Sequence, residues 1–224
     1  MHLLELIIPT VLFFSAPLIF TALGGVFSER AGVVNIGLEG LMVIGAFVGI
    51  VFNLTFADVL GGWTPWISLL VAIVVGAIFS IIHAIASVSF YADQTVSGVA
   101  INMLALGLGI YLTKIWYGKG QTDMVEEGFN STTIPGLSEI PIIGPIFFEG
   151  IYVTSYIAIV LAIIVWFVLY KTAFGLRLRA VGEHPMAADT NGINVSRMRY
   201  VAVILSGALG GLGGSVFALT IVDN

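Results

Sequence analysis

Four polar side chains are conspicuous because each lies within a long apolar stretch of the sequence. Asn35 and Glu39 are four residues apart, and His83 and Asn102 lie on two later stretches. A charged side chain at the centre of a membrane helix costs about 2.5–3.5 kcal/mol, so such residues usually face a bundle interior or a wet cavity. The four side chains therefore predict a polar pathway through a membrane bundle. Asn35 and Glu39 are expected to share one helical face of it.

Each of these residues also has a simpler structural interpretation. Glu39 could pair with Arg30, or lie at a helix start, where negative charge is favourable. His83 and Asn102 could join helices by hydrogen bonds without touching a pathway. Asp93 or Thr95 is expected to cap the helix that follows the short turn at 93–97.

The residues that usually carry catalysis do not form a recognisable set. His2, His83 and His184 lie on three separate segments, the chain contains no cysteine, and no nucleotide-binding G-x-x-x-x-G-K-[ST] loop occurs. We therefore predict no catalytic residue, no metal site and no cofactor.

The composition identifies the setting in which these residues lie. Of the 224 residues, 58% are hydrophobic and 9% are charged, whereas a soluble domain has about 25% charged residues. This excludes an ordinary soluble enzyme, a nucleic-acid binder and a disordered chain. Six stretches approach the ~20 apolar residues that a membrane helix needs: residues 3–23, 32–52, 63–90, 95–115, 151–170 and 200–222. The fold class is therefore an all-α polytopic transmembrane bundle of about six spans, in one domain over residues 1–224.

The basic residues give the bundle an orientation. Five of the eight Lys and Arg residues lie in the 171–199 loop, which is therefore predicted to be cytoplasmic. The acidic 116–150 loop is then extracytoplasmic, and alternation places the N-terminus outside as well. The small-residue pairs predict close helix crossings: Gly45/Gly49, Gly207/Gly211 and Gly210/Gly214.

The 171–199 loop is longer than a passive connection needs to be. Pro185 is suited to the first turn of a short helix and Gly192 to its end. Ala187 and Ala188 would give that helix a small face for close docking.

Two runs of residues carry a resemblance to a known family. Residues 29–40 (ERAGVVNIGLEG) and 175–195 (GLRLRAVGEHPMAADTNGINV) resemble the membrane subunits of ABC importers for nucleosides. These subunits belong to a wider permease group that also handles ribose, galactose and branched-chain amino acids. The resemblance extends over essentially the whole chain.

The resemblance implies a permease in the bacterial inner membrane that transports nucleosides without chemistry of its own. Its implied partners are a second similar permease, an ABC ATPase that hydrolyses ATP, an extracytoplasmic substrate-binding lipoprotein, the nucleoside and membrane lipid, with no nucleic acid. The short inner helix becomes the coupling helix that fits a groove of the ATPase. Met186 stands where many members have Glu, so the acidic contact falls to Glu183 or is absent. The implied coupling residues are Gly182, Glu183, Ala187, Ala188 and Gly192.

Some alternatives remain open from the sequence. A simple-sugar permease is the runner-up, because no pathway residue distinguishes a base from a sugar, although the NIGLEG stretch (35–40) favours nucleosides. A proton-coupled secondary carrier could use Glu39, His83 and Asp93 as a relay. Family members usually continue for several spans beyond the glycine-rich last helix, whereas this sequence stops at Asn224. We therefore expect it to lack the last spans of the family fold, and a fragment that only assembles with other subunits is a third alternative.

Overall fold

The computed structural model describes residues 2–125, 127–133, 138, 144, 147–148 and 150–221. In these residues the helices are α1 (His2–Arg30), α2 (Leu38–Leu60), α3 (Thr64–Ala84), α4 (Gln94–Tyr117), α5 (Val153–Lys171), α6 (Ala173–Glu183), α7 (Pro185–Thr190) and α8 (Val195–Ile221). A 3₁₀ turn (Gly61–Trp63) joins α2 to α3, and a π-helical turn (Ile85–Ser89) extends α3. Two short strands, β1 (Ser131–Thr132) and β2 (Ile151–Tyr152), pair antiparallel.

The helices that could cross a membrane confirm the predicted all-α polytopic bundle. Five helical segments of the described chain are long and apolar enough to span, and the longest, Leu38–Ser89, has 52 residues. It contains two helices, because α2 and α3 turn at Gly61–Trp63 and pack against each other. The prediction of about six spans therefore holds, with α2 and α3 forming a hairpin.

Three of the predicted spans have wrong boundaries. The first span was placed at 3–23, but α1 continues to Arg30. The second span was placed at 32–52, but α2 begins at Leu38 and continues to Leu60, because residues 31–37 are not helical. The last span was placed at 200–222, but α8 begins at Val195. The predicted 171–199 loop is therefore mostly helical, since it contains α6, α7 and the first turn of α8. Part of the predicted 116–150 loop lies outside the described residues.

The centre of the bundle is α8. Of the most apolar stretch of α8, 56% is buried, against 17–33% for the other spans. The helix packs along α1, α2 and α3. Glycine makes this possible: a Cβ on Gly45 would overlap the backbone of Gly211, and a Cβ on Gly211 would overlap the carbonyl of Ala72. The small-residue pairs of the sequence thus lie at close crossings, as predicted.

The helix ends group at two ends of the bundle. At one end Arg30 bonds Tyr170, Arg199 bonds the Ala31 carbonyl and Ser89 bonds Tyr200. We call this the basic end, since it carries Arg30, Lys171, Arg177, Arg179, Arg197 and Arg199. At the opposite end the Asn53 amide donates to the Glu127 carbonyl at 2.7 Å, which ties α2 to the segment after α4.

The crossing at Gly45 gives a direct test of this packing. Gly45→Ala should destabilise the bundle, because overpacking a fitted site costs about 1–3 kcal/mol. Gly107→Ala on α4 is the matched control, since a Cβ there meets nothing within 4 Å. In detergent, the midpoint temperature of thermal unfolding should fall for Gly45→Ala and stay unchanged for Gly107→Ala. Equal midpoints for the two variants would contradict the crossing.

Candidate functional site

The main chain between α1 and α2 is unwound inside the bundle. We call residues 31–37 the 31–37 segment. Its alternate residues are buried, with Ala31, Val33 and Asn35 at 0%, 1% and 5% exposure, while Val34 and Ile36 are 48% and 39% exposed. Burial with a period of two is typical of extended chain. The segment therefore presents one edge to the bundle interior and the other outward.

This segment enters the bundle from the basic end along α8. The Ala31 carbonyl accepts a bond from Arg199 Nε at 3.3 Å, and the Asn35 amide donates to Ser206 Oγ at 2.9 Å. Residues seven apart on a helix are separated by about 10 Å. The segment thus descends by about that distance, and α2 begins below the basic end rather than at it.

Unwound backbone within a bundle must find hydrogen-bond partners, because lipid offers none. The first three amides of the segment bond back to backbone carbonyls at the end of α1. The later backbone groups are bonded by side chains. Gln94 Oε1 accepts from the Val34 amide at 2.7 Å, and Asn102 Nδ2 donates to the Ile36 carbonyl at 3.1 Å. Within the segment, Asn35 Oδ1 accepts from the Gly37 amide at 3.1 Å. These bonds replace those that a continuous helix would have supplied.

His83 belongs to the same set of supports. It is fully buried on α3, with Nε2 3.2 Å from the Val34 carbonyl and Nδ1 3.0 Å from Ser97 Oγ on α4. Because a carbonyl oxygen only accepts, Nε2 carries the proton in the first bond. His83 therefore links α3, α4 and the 31–37 segment at one point.

Asn102 also caps the start of α2. Its Oδ1 accepts from the Gly40 amide at 2.7 Å, which satisfies one of the unpaired amides at a helix N-terminus. Asn102 lies eight residues into α4, or about 12 Å along it. The N-terminus of α2 is therefore well inside the span.

Glu39 lies in the first turn of α2 with an exposed side chain. A carboxylate there is favoured by the positive end of the helix dipole, as one of the sequence alternatives proposed. The other alternative, pairing with Arg30, is not seen in the described residues, where Arg30 bonds the Tyr170 hydroxyl. The Glu39 carboxylate is thus available to whatever occupies the outward side of α2.

The structure brings three of the four predicted pathway residues together. Asn35, His83 and Asn102 all contact the 31–37 segment or the adjoining α2 start. The prediction that Asn35 and Glu39 share a helical face was wrong, because Asn35 precedes α2 and turns toward Ser206. Sequence reasoning missed Gln94, Ser97, Ser206 and Arg199, whose polar types within or beside apolar stretches were the only available signal.

A second site lies at the basic end, where α6 and α7 meet. Pro185 starts α7 and Gly192 follows it with φ +78°, as the Pro–Gly spacing predicted. Ala188 is buried at 4% exposure, whereas Met186 is 84% exposed and Ala187 is exposed. The outward face of α7 is therefore formed by Met186 and Ala187, with Ala188 packed beneath.

An open cleft of about 680 Å³ adjoins this face. It is lined by Leu176, Arg179, Ala180 and Glu183 of α6 and by Ala187 of α7, among others. The cleft has the size of a small-molecule site, but it opens outward from the basic end. It can accept a helix or loop of a second protein.

Gly182 connects the two sites. A Cβ at Gly182 would overlap the carbonyl of Arg30 and lie 3.2 Å from the Gly32 amide nitrogen. Thus the end of α6 packs backbone to backbone against the start of the 31–37 segment. A movement of α6 would therefore act directly on the junction between α1 and the 31–37 segment, which leads into α2.

These features are those of a polytopic membrane protein with an exposed helical loop at its basic end. The comparison with protein families agrees: the model of the permease component of branched-chain amino acid transport systems matches residues 7–223. The chain belongs to this family, which confirms the resemblance carried by the two motifs.

Within this family, the chain is similar to several individual ABC transporter permeases. The chain is 63% identical over 220 residues to the guanosine ABC transporter permease NupQ of Bacillus subtilis, covering 98% of this chain and 69% of that protein. It is 51% identical over 221 residues to the nucleoside ABC transporter permease NupC of Lactococcus lactis, covering 99% and 69%. A putative glucose ABC transporter permease of Haloferax volcanii is 36% identical over 206 residues, covering 90% and 59%. No solved structure matches the chain.

The support of the 31–37 segment can be tested at Asn102. Asn102→Leu removes the partners of the Gly40 amide and the Ile36 carbonyl, and each buried unsatisfied group costs about 1–3 kcal/mol. Hydrogen exchange by mass spectrometry should show faster exchange in a peptide covering residues 31–41. Met103→Leu is the matched control, because Met103 is 71% exposed beside it. Unchanged exchange in Asn102→Leu would contradict the assigned role.

Proposed function

We propose that this chain is the translocation subunit of an ATP-binding-cassette importer for nucleosides in a bacterial plasma membrane. The observation that carries the proposal is the 63% identity to a guanosine permease along 98% of the chain. The nucleoside permease at 51% supports the same substrate class, whereas the putative glucose permease is more distant at 36%. A sugar permease is therefore the second candidate.

The basic end faces the cytoplasm in this proposal. Lys and Arg next to membrane spans favour the cytoplasmic side, and this end carries Arg30, Lys171, Arg177, Arg179, Arg197 and Arg199. The N-terminus and the 116–150 loop are then extracytoplasmic. The loop would receive a substrate-binding lipoprotein, and a second permease would complete the pathway.

The α7 helix is the coupling helix of this proposal. A separate ATPase hydrolyses ATP and docks on the outward face formed by Met186 and Ala187, with Glu183 in the adjoining cleft. Ala188 and Gly192 do not face the ATPase in this proposal. Ala188 is buried on the packed side of α7, and Gly192 ends the turn that follows it. Gly182 passes the motion on, since it packs against Arg30 and Gly32.

The pathway residues divide into two roles. Asn35, His83 and Asn102 hold the 31–37 segment in its unwound form through the bonds described above. Glu39, at the start of α2, lines the pathway with the exposed edge of the segment at Val34 and Ile36. A broken helix whose N-terminus lies within the membrane is a common way to build a transport site.

Uptake measurements in cells with and without the gene test the proposal. Loss of the chain should abolish ATP-dependent uptake of labelled guanosine and uridine and leave ribose uptake unchanged. Loss of ribose uptake alone would favour the sugar permease. Nucleoside uptake that stops when the proton gradient is collapsed, with ATP still present, would instead indicate a secondary carrier.

The coupling helix can be tested at Ala187. Ala187→Arg places a long cation on the proposed docking face and should reduce ATPase co-purification strongly while the permease remains in the membrane. The control is Ala173→Arg, also exposed at the basic end but outside the cleft. Equal recovery of the ATPase with both variants would overturn the docking assignment.

The pathway role of Glu39 gives a separate prediction. Glu39→Gln keeps the size of the side chain and removes its charge, so uptake should fall while membrane abundance stays constant. Asp58→Asn is the control, because Asp58 is exposed near the other end of the same helix. If both variants transport like the unaltered chain, Glu39 is a helix-start residue only.

A further inference from the structure

Two arginines converge on one tyrosine at the basic end. Arg30, the last residue of α1, donates from Nη2 to the Tyr170 hydroxyl at 3.2 Å. Arg179 on α6 lies over the face of the same ring, with Cζ 4.9 Å from the ring centroid. The two guanidinium groups are therefore held by a single phenol, which joins the ends of α1 and α5 to α6.

Neither arginine is neutralised within the described part of the chain. The ion pair found there joins Lys119 to Asp123, near the opposite end. Arg179 Nε is buried and has no hydrogen-bond partner. A buried donor on a cation without an acceptor is costly, so the pair has unused capacity for an anion. Tyr170 cannot supply this capacity, because its neutral hydroxyl carries no charge.

The surroundings indicate which anion would reach this place. The outward side of α5 is apolar and exposed, with Ile163 60% and Phe167 54% accessible. At its end Lys171 lies over the Trp166 ring, 5.8 Å from the centroid, and Trp with Lys at a helix end is typical of a membrane–water interface. The arginine pair thus lies at the level of lipid phosphates. A guanidinium matches the geometry of a phosphate group well.

We infer that Arg30, Tyr170 and Arg179 form a binding site for the phosphodiester group of an anionic phospholipid. The Arg30 guanidinium is exposed and meets the phosphate from the membrane side, and Arg179, whose Nε is unpaired, adds the second positive charge. Glu29 shares a small cleft with Arg30 and weakens the site by its charge.

A lipid bound at this site would restrict the movement of α6 and the α7 helix that follows it. Arg179 lies on α6, and the Arg30 carbonyl packs against Gly182 of the same helix. A phosphate that bridges the two guanidinium groups would fix α6 against the end of α1. The lipid site is independent of the nucleoside proposal, because it requires only that the chain lies in a membrane.

The experiment measures lipid retention by native mass spectrometry after purification from vesicles of phosphatidylglycerol and phosphatidylcholine. The unaltered chain should keep phosphatidylglycerol in preference to phosphatidylcholine. Arg30→Gln and Arg179→Gln should each lower that retention by about fivefold, since a basic residue near a membrane surface contributes about that factor. Glu29→Gln should raise it. Arg179→Lys, which keeps the charge, controls for folding and should retain part of the preference.

The matched control is Arg197→Gln, an exposed arginine at the same end that does not touch Tyr170. Retention should be unchanged in this variant. A loss as large as in Arg30→Gln would mean general attraction to the basic end and would overturn the site. Displacement of the lipid by millimolar inorganic phosphate would show a free-anion site instead. Loss of ATPase binding with normal lipid retention would assign the arginines to protein docking, and would also overturn the inference.

Discussion

The structure depends on one constraint: seven residues of unwound backbone must be satisfied where lipid supplies no hydrogen bonds. In the 31–37 segment the first three amides bond to carbonyls at the end of α1, and side chains of three other helices bond further backbone groups. His83 on α3, Gln94 and Asn102 on α4, and Arg199 on α8 each bond a backbone group of the segment. The intramembrane polar residues are therefore explained first as supports of this break, and the start of α2 within the span is its consequence.

The break also explains how the two sites are joined. Helices α6 and α7 contribute no span, yet Gly182 at the end of α6 packs backbone to backbone against Arg30 and Gly32. The glycine-rich helix α8 supports the 31–37 segment from the bundle interior, and α1, α2 and α3 all pack along it. In the proposed coupling, a movement of α7 would act on the least regular part of the bundle, where few helical bonds resist a change of conformation. The lipid site proposed on Arg30 and Arg179 lies on the same connection.

Much of this architecture could be predicted from the sequence. Apolar stretches gave the spans, Pro185 and Gly192 bounded α7, and Asp93 caps α4 through the Val96 amide at 3.0 Å. The extent of the unwound segment could not be predicted, because residues 31–37 are mostly apolar, as in a membrane helix. Gln94 was missed because its role depends on a partner sixty residues away. The burial of Ala188 beside exposed Ala187 likewise depends on how α7 packs, which local spacing does not determine.

Disulfide cross-linking tests the non-helical course of the 31–37 segment most directly, because the chain has no cysteine of its own. Val33 packs with Val203 in one buried cluster, and Asn35 bonds Ser206, so both partners lie on α8. The double variants Val33→Cys/Val203→Cys and Asn35→Cys/Ser206→Cys should each cross-link, seen as fragments held together after cleavage at a protease site inserted in the 116–150 loop. In a helix, residues 33 and 35 would be related by a rotation of about 200°, so they would lie on nearly opposite faces and could not both contact α8. Cross-linking of only one pair would contradict the unwound segment on which the account rests.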